Sequence, residues 1–355
     1  MIDALVIGAG QSGLAAARTL TDHHLDPVVL EAGPDPVGSW PHYYDSLTLF
    51  SPAQHSSLAG LDFPADPDHY PHRDEVVDYL RRYAKTLDAD IRTNTTVTTI
   101  AAHAEEGFVV HTDDGQQLHT AGIVAATGSF GNPHLPEIPG QDQFGGNVLH
   151  VADYRRPEDY TGQRVIIVGA GNSAVQVAYE RADHATVTLA THNPINFLPQ
   201  HRDGHDVHHW LVSTGFDQLP PEWLIRYVGG TLVMDTGDYQ HALTTGRMDR
   251  RPMFTSFDTD RIVWSDGTVE TVDTVLFATG YRPNLEYLTE LGALANGYPL
   301  HSAGVSTTHP GLVYVGLEFQ RSFSSNTLRG VHRDAEYAIT ALAAHINRAP
   351  AKVGL

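Results

Sequence analysis

The phrase "ALVIGAGQSGLAAA" at residues 4–17 returns, little changed, as "VIIVGAGNSAVQVA" at 165–178. Each copy joins an unbroken apolar run to a glycine-rich turn and then to a helix-forming stretch. A continuous apolar run suits a parallel strand covered on both faces, and the following stretch returns over the sheet as a helix. Two such units constrain the chain more than any other feature. They predict an α/β protein with two nested Rossmann-like dinucleotide-binding domains, and 355 residues leave room for both cores. The boundaries read as 1–150 plus 275–355 for a discontinuous first domain, with 151–274 inserted as the second.

The turns differ in what they would hold. In the first, Gly8, Gly10 and Gly13 fit G-x-G-x-x-G. The first glycine permits the tight turn, the second lets backbone approach a pyrophosphate, and the third lets helix and strand pack closely. Glu31 ends the next strand, where a carboxylate accepts hydrogen bonds from ribose hydroxyls and repels a 2′-phosphate. FAD or NAD fits this turn, and NADP does not. The second turn carries Gly169, Gly171 and Ala174, with Asn172 and Ser173 opening its helix. The corresponding strand ends in Thr191, His192 and Asn193 without an acid, which favours NADPH, with NADH as the alternative. Arg202 is the nearest cation for a 2′-phosphate. Unlike turns imply one resident flavin and one visiting nicotinamide.

Bulk properties remove several function classes. A formal charge of -20 repels nucleic acid and anionic membranes. No apolar run reaches the roughly 18 residues of a membrane span. Asp3 stands where a secretory leader would carry a cation, so a cytoplasmic location is expected. The chain has no cysteine, which excludes disulfides, thiolate metal sites and cysteine nucleophiles. The histidine-rich "HDVHHW" at 205–210 lacks a matching ligand set and reads as solvated or locally bonded histidines rather than a metal site.

Other elements follow from pattern. Residues 34–72 form an irregular stretch long enough to line a site. "RDEVVDYLRRYAKTL" is an amphipathic helix with Val76, Val77, Leu80 and Tyr83 on one stripe. Short strands are expected at 96–100, 107–112 and 122–128. Residues 192–255 show no clear pattern, whereas "RIVWSDGTVETVDTVLFATG" reads as a hairpin leading into a buried strand. A last helix is expected from about Asn326 to Ile346.

Several motifs in this order resemble the flavin-dependent monooxygenase family, single-chain enzymes with nested FAD and NADPH domains. "VGSW" at 37–40 is similar to the family's G-G-x-W, and "AATG" at 125–128 and "FATGYRPN" at 277–284 resemble its two interdomain crossings. "FGGNVLHVADY" fits F-x-G-x-x-x-H-x-x-x-[YFW] through Phe144, Gly146, His150 and Tyr154. "GSWPHYYDSLTLFSPAQHSSLAG" is similar to a bacterial branch of the family. The resemblance implies flavin contacts at Gln11, Ser12, Gly38, Ser39, Trp40, Val97, Thr127, Gly128, Gln320 and Leu328, and contacts at the second crossing through Thr279 and Gly280. His150 and Ser51 are the implied catalytic positions, His150 by coupling nicotinamide binding to the flavin, with fixing of a linker as the plainer role. NADPH would reduce FAD, and reduced flavin with dioxygen would give a hydroperoxide that oxygenates a small nucleophile.

Departures narrow this expectation. Tyr154-Arg155 replaces the Trp and Pro or Asp of Baeyer–Villiger members, which favours oxygenation of nitrogen, sulfur or a similar soft atom. Ser51-Pro52 replaces the flavin-facing asparagine and its proline. Gly316-Leu317 replaces a G-D pair, with Glu318 nearby. An NAD(P)H:flavin oxidoreductase or oxidase, passing electrons to a quinone, a partner protein or dioxygen, is therefore the alternative. A flavin-binding sensor is a third reading, and a homodimer is compatible with all of them.

Overall fold

The computed structural model describes residues 2–103, 107–224, 226–227 and 231–348. Residues 349–355, drawn with the first domain, and 225 and 228–230 of the irregular segment lie outside these. The first unit runs β1 (Ile2–Ile7), α1 (Gln11–Asp22), β2 (Pro27–Leu30), α2 (Arg73–Ala84), β3 (Asp90–Arg92), β4 (Val97–Ala102), β5 (Phe108–Thr112) and β6 (Gln117–Ala125). Strand β1 lies at the centre, parallel to β2 (Leu5 opposite Val28) and to β6 (Leu5 opposite Ile123). Strand β3 extends the sheet beyond β2, and Leu312–Tyr314 extends it beyond β6, both in parallel. The alternation along β1 divides the core. Ala4 and Val6 face α1, α2 and the last helix, while Leu5 and Ile7 face Ile100, Phe108, Val110 and Leu288.

The second sheet is parallel throughout, in the order Asp249–Pro252, β9 (Thr186–Thr191), β8 (Arg164–Val168), Thr274–Phe277 and β7 (Asn147–His150). Helix α3 (Asn172–Arg181) follows β8. Both β7 and Thr274–Phe277 hydrogen-bond here. Residues 147–150, placed by sequence in the first domain, thus belong to the second sheet, because Leu149 pairs with Leu276 rather than with any strand of the first.

The irregular reading of 34–72 holds: it carries single helical turns at Trp40–His42 and Ala53–His55 and isolated bridges at Thr48–His72 and Leu58–Leu61. The unreadable 192–255 segment breaks into short pieces, including a parallel pair (Asn196–Pro199 with Leu232–Asp235) and the helix Val207–Ser213. The hairpin Arg261–Trp264 with Val269–Thr271 forms as expected. The final helix begins at Val331, not Asn326. Residues 326–330 instead close turns onto Ser324 and Thr327, with Thr327 N–H donating to Ser324 O and Gly330 N–H to Thr327 O.

Candidate active site

Both glycine turns sit where their strands end, each pressed on the crossing from its own sheet. A methyl on Gly8 (φ +95°) would lie 2.8 Å from the Ala126 carbonyl oxygen, and one on Gly169 would overlap the Ala278 carbonyl. Gly13 faces the Gly8 carbonyl with no room for any side chain. These approaches come from backbone against backbone, which only glycine permits. Neither helix is capped by a side chain at its N-terminal glycine, Gly10 for α1 or Gly171 for α3. The first-turn N–H groups are thus left for a ligand, and the helix dipole favours an anion there.

One cavity of about 820 Å³ gathers both helix starts, within the size range of cofactor sites. Of the flavin contacts expected from sequence, Gly8, Gly10, Gln11, Ser12, Glu31, Gly38, Ser39, Trp40, Val97, Thr127, Gly128 and Leu328 line it, as does Ser51, the expected catalytic position. Asn172 and Ser173 of the second turn reach the same space, with Gln176 one turn further along α3. The donor set fits a dinucleotide. Glu31 is buried, with Oε2 accepting Ala9 N–H at 2.6 Å and Oε1 accepting Gly33 N–H at 2.9 Å, so the carboxylate is fixed in place. Trp40 Nε1 donates to Gln11 Oε1 (2.8 Å), and Gln11 Nε2 donates to Asn326 O (3.2 Å), tying the aromatic wall to the helix start.

Other expected residues stand elsewhere. Gln320 is buried but donates to Tyr314 O at 2.9 Å, holding its own loop. Thr279 donates to His134 O, and Gly280 O accepts His134 N–H at 3.0 Å; both stitch the crossing. Gly169, Gly171, Ala174, Thr191 and exposed His192 lie off the cavity wall. Arg202 is an exposed hairpin residue paired with Asp203. Its place beside Thr191 is taken by Arg250, whose Nε donates to Thr191 Oγ1 at 2.7 Å because the strand Asp249–Pro252 runs parallel to β9.

His150 is also off the cavity. Its Nδ1 accepts Ala152 N–H at 3.1 Å, which leaves the hydrogen on Nε2, 3.1 Å from Gly280 O. The ring meets Tyr281 edge-on at 4.9 Å. This geometry favours the linker-fixing role. Burial pushes its proton affinity below the ordinary value of 6.5, against the Gly280 bond. The folded state therefore binds the proton less well than the unfolded chain, so stability present above pH 6.5 is lost as the pH falls below it. Melting curves should show His150→Gln losing less stability than wild type between pH 7 and 5; equal slopes would count against this.

Sequence reasoning missed Phe130, Asn284 and Tyr287 on the cavity wall, whereas Tyr43, Gly316 and Arg329 lie there within stretches ("PHYYD", Gly316-Leu317 and "SSNTLRG") that the sequence already placed beside the flavin. Gly316 had a visible signal, a glycine after an apolar strand. Its φ is +89°, and any side chain there would strike Ser12. The pairing of Arg329 had none, since its partner Asp217 is 112 residues away.

Comparison with known proteins agrees with this layout. Residues 5–213 match the pyridine nucleotide-disulphide oxidoreductase family. An uncharacterized CzcO-like oxidoreductase of Geobacillus kaustophilus is 30% identical over 354 residues, 97% of this chain and 99% of that protein. The indole-3-pyruvate monooxygenase YUCCA1 of Oryza sativa is 30% identical, over 82% of this chain and 80% of its own. Among solved structures, a flavin-containing monooxygenase from Stenotrophomonas maltophilia superposes with a TM-score of 0.84 at 31% identity, covering 97% of this chain and 98% of that one.

Proposed function

The chain belongs to the flavin-containing monooxygenases within the pyridine nucleotide-disulphide oxidoreductase family, and from that footing we propose that it oxygenates a small nitrogen or sulfur nucleophile with NADPH as preferred donor. With no cysteine, it cannot run the dithiol chemistry of the family's disulfide reductases. The observation that carries the reading is the opening of two uncapped helix starts, at Gln11 and Asn172, onto one cavity. Bound FAD would accept a hydride from the nicotinamide and activate dioxygen.

The protein's own part is placement. The N–H groups of Gln11 and Ser12 hold the pyrophosphate, Glu31 receives the ribose hydroxyls, and Trp40, Ser51 and Leu328 wall the ring system and keep water out. FAD would occupy the unit built on β1–β6 with Leu312–Tyr314 and the last helix, and the nicotinamide would dock on the unit built on β7–β9 with Asp249–Pro252 and Thr274–Phe277. NADPH preference rests on Arg250, held at the acid-free end of β9 with no carboxylate ion-paired to it among the described residues.

The test has two arms. Anaerobic reduction by each nicotinamide, followed by labelled dioxygen and a panel of a thioether, a tertiary amine and indole-3-pyruvate, should place one labelled oxygen in a product. Consumption of donor with only hydrogen peroxide formed would favour the oxidase alternative. Arg250→Leu should cost about 1.5–3 kcal/mol of phosphate recognition, roughly a ten- to hundredfold rise in KM for NADPH, with NADH unaffected. Equal effects on both donors would defeat the Arg250 assignment.

A further inference from the structure

Behind Phe50, a cavity-wall residue, lies a buried cluster the proposed function does not use. The His208 side chain is fully buried, and its Nδ1 is 2.7 Å from Asp206 Oδ1. Asp206 also accepts from the Tyr70 hydroxyl (2.5 Å), Gln200 Nε2 (2.5 Å) and the His208 backbone N–H (2.8 Å). Burial works against that carboxylate, but these donors prevail and hold it well below the usual range. An ionised Asp206 requires the hydrogen on Nδ1 of neutral His208. The Nε2 lone pair is then a bare acceptor, and it has no partner among the described residues. An unpaired buried acceptor is costly and calls for an occupant. The ring stacks on Phe50 (centroids 6.0 Å apart, 17°), and its other ring neighbour is the half-buried His55, with centroids 6.0 Å apart at 31°.

The stoichiometry of the proposed reaction supplies a use. NAD(P)H, one proton, dioxygen and substrate give NAD(P)+, water and oxygenated substrate. Without substrate, NAD(P)H, one proton and dioxygen give NAD(P)+ and hydrogen peroxide. Either way one proton must enter from solvent. We propose that His208, oriented by Asp206, relays this proton from His55 at the solvent side to the cavity behind Phe50. The inference rests on the flavin and NAD(P)H reading above.

The charges facing the pair are fixed from every side. Asp206 precedes the His208 helix, Asp217 sits on the single turn Phe216–Gln218, and Arg329 lies in the loop before the last helix. Burial, with Arg329 adding to it, lowers the proton affinity of both histidines despite the two aspartates. Both are therefore neutral near pH 7, and each is able to take a proton and pass it on. Protonation becomes appreciable only below pH 6.5.

The experiment uses FAD-loaded protein with NAD(P)H and dioxygen alone, following donor oxidation and peroxide from pH 5.5 to 8. Wild type should speed up as the pH falls. His208→Gln, with full flavin content, should be slowed about tenfold or more at pH 7 and lose the pH response. His55→Gln, on the half-exposed side, should flatten the same profile and serves if the buried variant fails to fold. Nitrogen-15 NMR of the wild-type holoprotein should show His208 Nε2 without hydrogen at neutral pH. An unchanged profile in both variants, or a hydrogen on Nε2, overturns the relay alone. Wild type that oxidises neither donor removes the underlying reading, and the relay with it.

Discussion

Gly10→Val should yield a folded, colourless protein. Gly10 has an ordinary backbone (φ -72°), and a methyl built on it meets only Gly38 Cα at 3.6 Å, a normal contact. The first branch of a side chain therefore fits the fold. The valine methyls, however, project into the space where Gly10, Gln11 and Ser12 border the cavity, the approach a pyrophosphate needs. Flavin should be absent after purification, while the melting transition stays within about 1 kcal/mol of apoprotein stability. Gly13→Ala is the contrasting case. Its methyl would strike the Gly8 carbonyl oxygen, which separates α1 from its turn and costs the fold itself. Wild-type flavin content in Gly10→Val would show that the cofactor is held elsewhere.

That contrast also explains what was legible in the sequence. Gly8, Gly13 and Gly169 were readable because backbone-to-backbone contact leaves one residue type, so the requirement is written locally. The parallel strands were readable for a similar reason, since burial on both faces forces an unbroken apolar run at Leu5–Ile7 or Ile166–Val168. Partners brought together from afar leave no such trace. Arg202 stood nearest to Thr191 in the chain, yet Arg250 reaches it because a parallel neighbour of β9 arrives 59 residues later. The histidines of 205–210 looked alike as letters. The fold leaves His205 and His209 exposed and stacked on each other at 4.2 Å, and it buries His208 on Asp206. Their difference is tertiary, set by which side of the helix Val207–Ser213 meets Phe50.

The same argument leads to a large stability effect at a buried ion pair. Asp217 is 1% exposed and Arg329 8%, and they pair bidentately, Nε to Oδ2 at 2.9 Å and Nη2 to Oδ1 at 2.8 Å. Ser324 Oγ donates to the Asp217 carbonyl at 3.0 Å and fixes the turn from below. The pair ties the inserted segment to the loop before the last helix, with Arg329 itself on the cavity wall. Two buried charges gain little over an apolar pair once desolvation is counted, but removing one strands the other. Asp217→Ala should therefore destabilise by about 3–5 kcal/mol and loosen flavin retention, because the freed guanidinium must seek solvent through the cavity. Combining it with Arg329→Met should restore much of that loss, since no charge is then left buried. Denaturant titration of the two single variants and the double variant measures the coupling. A loss under about 1 kcal/mol for Asp217→Ala, the range of exposed pairs, would mean that water already reaches this bridge and that it does not lock the inserted segment to the cavity.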